Sequence, residues 1–114
     1  MTLELVTAII KPHKLEEVKD ALLANGVEGI TVSEVRGFGR QRGKTENFRG
    51  SEYNIDFVPK VRLDILVPAE LADRIVSVIV DAAKTDKIGD GKVWTTPVRT
   101  VTRVRTGEMD IDAL

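Results

Sequence analysis

Val61–Lys84 reads VRLDILVPAELADRIVSVIVDAAK and changes its period at Pro68. From Val61 to Val67 the residues alternate, with Val61, Leu63, Ile65 and Val67 facing one way and Arg62 and Asp64 the other. That period of two belongs to a strand with one buried face. Pro68 suits a first helical turn, and Glu70 and Asp73 complement the positive end of a helix dipole. Beyond it Leu71, Ala72, Ile75, Val76, Ile79, Ala82 and Ala83 recur at i, i+3, i+4 spacing, the stripe of an amphipathic helix. The start of the chain repeats this succession. Leu3–Ile10 (LELVTAII) is an apolar run closed by Lys11-Pro12, where the residue before proline is pushed toward extended geometry. Lys14–Asn25 follows with Leu15, Val18 and Leu22 on one helical face, Ala21 beside them, and Glu16, Glu17, Lys19 and Asp20 on the other. Asn25-Gly26 is a helix stop, glycine taking positive φ without steric cost.

Ile30–Arg36 (ITVSEVR) is β-branched and reads as a strand, although Val35 falls on the Thr31/Ser33 face. Lys84–Lys92 (KTDKIGDGK) is a turn-rich connection, Val98–Arg105 (VRTVTRVR) reads as the last strand, and residues 106–114 read as a flexible acidic tail with Glu108, Asp110 and Asp112. The order is β-α-β, long connection, β-α-β. Each half requires a right-handed crossover, and two such halves interleave into a four-stranded antiparallel sheet with both helices on one face. The expectation is a single α+β domain over residues 1–114, ferredoxin-like (βαββαβ) with a long loop between strands 2 and 3. Val6, Ala8 and Ile10 lie opposite Leu5 and Ile9 on the first strand, so both faces of the sheet call for cover. Assembly through the open face, as a closed ring of subunits, is the expected solution.

The 114-residue length fits one domain. A hydrophobic content of 42% with 31% charged residues fits a soluble globular chain. The absence of cysteine excludes disulfides and thiolate metal sites, and a single histidine, His13, excludes a multi-histidine site within one chain. His13, just after Pro12, reads as a solvated residue. No secretory signal and no long apolar run is legible, so a cytoplasmic protein is expected. A net charge of −1 argues against general nucleic-acid affinity.

The long connection, Gly37–Lys60, reads GFGRQRGKTENFRGSEYNIDFVPK and contains four glycines and the only tyrosine, Tyr53. Structureless loops beyond roughly 12–15 residues are uncommon unless functional or disordered. From Arg36 to Lys60 six basic residues (Arg36, Arg40, Arg42, Lys44, Arg49, Lys60) stand against three acidic ones (Glu46, Glu52, Asp56), giving +3. That fits an anionic ligand or partner; a solvated hairpin insertion fits the composition equally. Gly89-Asp90-Gly91-Lys92 is the sharpest local motif, two glycines allowing successive N–H groups to form an anion nest beside a lysine. The same tetrapeptide is also an ordinary hairpin turn, and it is not a Walker A loop. Gly37-Phe38-Gly39 is a weak GxG lacking the dinucleotide spacing. Arg103 and Arg105, at i, i+2 on the last strand, read either as a phosphate clamp reaching a neighbouring subunit or as a solvated face. In combination these elements point to a nucleotide polyphosphate.

Five separate motifs in register carry a resemblance: Lys11-Pro12, EVRGFGRQRG (34–43), FRGSEYNIDFVPK (48–60), TDKIGDGKVW (85–94) and RVRTGE (103–108). The chain resembles the P-II nitrogen regulatory signal-transduction family over essentially its whole length. The resemblance implies a homotrimeric adaptor rather than an enzyme, binding ATP or ADP between subunits and sensing 2-oxoglutarate together with Mg²⁺ and ATP. It implies a nucleotide site of Thr31, Gly37, Gly39, Arg40, Gly89, Asp90, Gly91 and Lys92, with Arg103 and Arg105 contributed across the interface. It places Gln41, Lys60 and Gly89 at 2-oxoglutarate, Gln41 also as the Mg²⁺ ligand, and Tyr53 as the site of nucleotidylation. The implied partners are an ammonium transporter, a nucleotidylyltransferase and other nitrogen-metabolism proteins, with no nucleic acid and membrane contact only through the transporter. Phe48, Asp86 and Thr95 depart from the family pattern, and Phe48 leaves Tyr53 as the only phenol. The competing readings are a phosphoryl-transfer or phosphatase enzyme, which has no evident activated nucleophile here, and an RNA-binding module, whose aromatics would need to stand on strands rather than in a loop.

Overall fold

Alternation in two central strands builds the core. The computed structural model describes residues 2–39, 45–48, 51–54 and 57–114. Strand β1 (Leu3–Ile10) runs antiparallel to β5 (Val58–Pro68), with Val6 opposite Ile65 and Ala8 opposite Leu63. The other edge of β5 takes β2 (Thr31–Gly37), and the other edge of β1 takes β6 (Gly91–Val98), giving the sheet order β2-β5-β1-β6. Between β2 and β5 a separate two-stranded ladder pairs β3 (Thr45–Phe48) with β4 (Ser51–Asn54).

One face of the sheet is closed by two helices, α1 (Leu15–Ala24) and α2 (Ala72–Ala83). Val6, Ala8, Ile10, Val61, Leu63, Ile65 and Val67 from the strands pack with Val18 and Leu22 of α1 and Ala72, Ile75, Ile79 and Ala83 of α2. All are buried, as the two periods require. Helix α1 follows a 3-10 turn at Pro12–Lys14 and stops where expected: the Asn25 side-chain amide donates to the Ala21 carbonyl (2.8 Å) and Gly26 takes φ +86°. A second 3-10 turn, Ala69–Leu71, leads β5 into α2.

The opposite face is chemically mixed. Leu66 and Trp94 are exposed on it, yet Thr7 at its centre is buried. The Thr7 hydroxyl donates to Asp64 (2.8 Å), and the Arg62 Nε donates to the same carboxylate (3.0 Å). The Arg62 guanidinium and the Thr7 hydroxyl hold the Asp64 carboxyl below the usual carboxylate range.

The ferredoxin-like α+β fold is therefore as expected, with two revisions. The last strand is Gly91–Val98, not Val98–Arg105, and all of its residues pair with β1, from Gly91 opposite Ile10 to Val98 opposite Leu3. Thr95-Thr96-Pro97 disguises it, because Pro97 breaks the strand signal. Proline is tolerated there because β6 is an edge strand. Residues beyond Val98 instead turn back: Thr102 bridges Met109, Gly107 N–H donates to Arg103 O (2.8 Å), and Asp110–Ala113 forms a 3-10 turn. The second revision is that β5 begins at Val58 and the long connection holds the β3–β4 ladder.

Leu63→Ala removes a side chain that is fully enclosed between sheet and helices. It is expected to lower unfolding free energy by about 2–5 kcal/mol, measured by urea denaturation.

Candidate functional site

Gly91 fixes where the site begins. It opens β6 with φ +106°, and a Cβ there would lie 1.7 Å from the Ile9 carbonyl oxygen. The close approach of β1 therefore excludes every side chain at this position, independently of any ligand. Gly89 (φ +93°) and Asp86 (φ +64°) are also left-handed, so the α2–β6 connection coils tightly above the end of β1.

Asp90 closes that coil. Its carboxylate accepts hydrogen bonds from the Thr85 backbone N–H (2.7 Å), the Thr85 hydroxyl (2.5 Å) and the Asp86 N–H (2.9 Å), and pairs with Lys11 Nζ at 3.1 Å. Lys11 also donates to the Thr85 hydroxyl (3.2 Å). These donors, the Thr85 hydroxyl first, hold the Asp90 carboxyl far below the usual carboxylate range. The Asp90 side chain thus organises the loop from within.

Lys60 joins the loop to the base of the long connection. It is buried, and Nζ donates to the Gly89 carbonyl at 2.5 Å. Burial, then the neighbouring Lys11 charge, push the Lys60 ammonium below its ordinary pKa, opposed by Asp90. Gly37 lies alongside: a Cβ on it would stand 3.5 Å from Lys60 Cγ. Beside them Pro12, Glu34, Val35, Arg36, Pro59, Lys60 and Val61 line a cleft of about 540 Å³. The two ends of the long connection are held together by the Gly37–Val58 pairing and by the Phe38 and Phe57 rings, whose centroids are 6.3 Å apart.

Gly37, Lys60, Gly89, Asp90 and Gly91 are thus brought together. Lys92 follows on β6 opposite Ile9, and Thr31 opens β2 opposite Asp64, further along the sheet face that carries Lys60. Gly39 lies just beyond β2. Arg40 and Gln41 lie outside the described residues, and Tyr53 is on β4 opposite Glu46. Arg103 and Arg105 are not neighbours on a strand, since both lie beyond β6. Arg103 Nη1 donates to Glu108 (3.2 Å) and Nη2 to the Leu114 carbonyl oxygen (2.7 Å), while Arg105 is exposed. Lys11 and Thr85 escaped the sequence reading as site residues. The signal available was position: Ile10 pairs with Gly91, so a lysine just after β1 must meet the loop just before β6.

Among the described residues no group of three or more His, Cys, Asp and Glu side chains could hold a metal. No described helix is long and apolar enough to cross a membrane.

Residues 3–108 match the family model described as "Nitrogen regulatory protein P-II". This chain belongs to the P-II family. The P-II proteins of Synechocystis sp. and Cereibacter sphaeroides are 53% and 51% identical over 109 residues, covering 96% of this chain and 97% of each relative. The nitrogen regulatory protein GlnK of Escherichia coli K12 is 48% identical over 112 residues, covering 98% of this chain and all of that one. The crystal structure of Arabidopsis thaliana PII bound to citrate superposes with a TM-score of 0.82 at 37% identity, covering 99% of this chain and 92% of that chain. The P-II relatives bear names of regulatory proteins, and the fold shared with the plant structure is the one described above.

Gly91→Ala is expected to cost at least about 2 kcal/mol, since both φ and the Ile9 carbonyl oppose it; thermal or urea unfolding measures it. The folded-state pKa of Asp90 is depressed, so its contribution is full above the ordinary Asp value near ~3.9 and is lost as pH falls below it. Asp90→Asn is expected to flatten the fall in thermal midpoint below about pH 4 relative to the parent protein.

Proposed function

We propose that this chain is a signal-transduction adaptor of nitrogen metabolism, with no turnover of its own, that reads an adenine nucleotide and a small dicarboxylate and reports them through the 37–60 segment. The observation that carries this is the bond from Lys60 to Gly89, which ties the base of the long segment to the glycine loop. ATP or ADP is assigned to the Gly89–Lys92 loop with Gly37, Gly39, Arg40 and Thr31, completed by Arg103 and Arg105 of a neighbouring subunit in a homotrimer. The sheet face bearing Leu66 and Trp94, which no helix covers, supports assembly of that kind. 2-Oxoglutarate is assigned to Lys60, Gly89 and Gln41, with Gln41 as the protein ligand of Mg²⁺ and phosphate and 2-oxoglutarate oxygens as the others. Ammonium transporters, nucleotidylyltransferases and further nitrogen-metabolism proteins are the proposed partners, in the cytoplasm, with Tyr53 as the modified residue.

Energetics favour a division of labour along the segment. Fixing one residue costs on the order of 1–2 kcal/mol, whereas allosteric couplings are typically about 1–3 kcal/mol. A metabolite can therefore bias the two ends of the segment but cannot order all of it. The ends are already joined by strand pairing and the Phe38–Phe57 contact, so little is needed there. The β3–β4 ladder is a two-stranded sheet standing by itself, and isolated hairpins are marginal in water. A protein surface that receives this ladder completes what the metabolite began. A nucleotidyl group on Tyr53 would add bulk and negative charge there and change which surfaces fit.

Calorimetric titration with 2-oxoglutarate is expected to give binding heat only with Mg²⁺ and ATP present; equal heats without them would contradict the shared site. With the modifying enzyme and UTP or ATP, Tyr53→Phe is expected to gain no nucleotide mass, whereas a persisting mass shift would assign modification elsewhere.

A further inference from the structure

Lys11 stands at the end of β1 with no role in the ligand assignments above, yet it touches the glycine loop at two points. Its ammonium lies 3.1 Å from the Asp90 carboxylate and 3.2 Å from the Thr85 hydroxyl, which itself donates to Asp90. The three side chains form a closed triangle, and the Lys11 and Asp90 side chains retain only 15% and 22% exposure. A carboxylate inside an anion-binding loop is a liability, because its charge repels the phosphate or carboxylate that the backbone attracts. Here the charge is matched by Lys11 and saturated by the donors of Thr85 and Asp86.

We propose that Lys11 is a positioning residue for the anion site. It neutralises Asp90 and clamps it to Thr85, which holds the 85–91 loop in the shape where the Gly89 carbonyl meets Lys60. Lys11 acts through Asp90 and not by touching the ligand. One cation thereby supports both halves of the site: the glycine loop directly, and Lys60 through Gly89. The identity of the anion rests on the nucleotide reading given above; the loop geometry does not.

The test uses Lys11→Met, Lys11→Arg, Thr85→Val, Asp90→Asn and the double variant Lys11→Met/Asp90→Asn in the full chain. MgATP binding is measured by calorimetry and the Asp86 amide by hydrogen exchange. Lys11→Met is expected to weaken MgATP roughly ten- to a hundredfold, as loss of a charge-assisted contact does, and to speed exchange at Asp86. Lys11→Arg restores most of both, and Thr85→Val, which removes only the shared hydroxyl, moves both in the same direction by less. The double variant is expected to bind no more weakly than Lys11→Met alone, because the two residues act as one unit. Additive losses in the double variant would overturn the proposal by making Lys11 a direct ligand contact. Parental affinity and exchange in Lys11→Met would overturn it outright, as would a lowered thermal midpoint with unchanged affinity and exchange. If the parent protein binds no MgATP, the nucleotide reading fails, while Asp86 exchange still decides whether Lys11 positions the loop. Should Lys11→Met not fold, Thr85→Val and the neutral double variant carry the same comparison.

Discussion

Two helices can cover only one face of a four-stranded sheet, and most of this molecule follows from that. The alternating residues of β1 and β5 commit one face to the helices, so Val6, Ala8, Leu63 and Ile65 are enclosed. Everything polar on those strands is then forced to the other face or to the strand ends. Lys60 and Arg62 share a face with Asp64 for this reason, and Lys11 falls just beyond the last buried residue of β1. The site is placed by the core, at the margin where the alternation runs out.

Charge explains how that margin is put to use. Lys11 and Lys60 converge on one loop whose Asp90 carboxylate is already engaged by Lys11 and by the donors of Thr85 and Asp86. Lys60 leans on the dipole of the Gly89 carbonyl. A carbonyl is a weaker partner for an ammonium than a carboxylate is.

Much of this was legible in the chain. The switch of period at Pro68, the Asn25-Gly26 stop and the alternation in Val61–Val67 act locally, and each reports its own geometry. The β6 strand was displaced because pairing with β1, a contact remote in sequence, overrides a Thr-Thr-Pro segment that looks irregular by itself. Arg103 and Arg105 were placed on a strand because β-branched neighbours surround them, whereas the actual path is set by the bridge from Thr102 to Met109 and the Arg103–Glu108 pair. Among the site residues the glycine motif announced itself, because positive φ demands glycine. Lys11 did not, since Lys11-Pro12 marks a strand end without saying what the side chain faces; only the register between β1 and β6 shows that.

That same register limits how such a site can change over evolutionary time. Gly91 is pressed against the Ile9 carbonyl at the entrance to β6, and α2 ends at Ala83, packed into the core. The connection is thus pinned at both ends by parts that cannot move. One residue inserted after Gly91 would slip β6 against β1 and turn Val93 from the helix side toward the opposite face, with every later residue following. The register therefore opposes insertion within β6 itself, whereas the 37–60 segment, whose ladder pairs separately from the main sheet, can change length without moving β6 on β1.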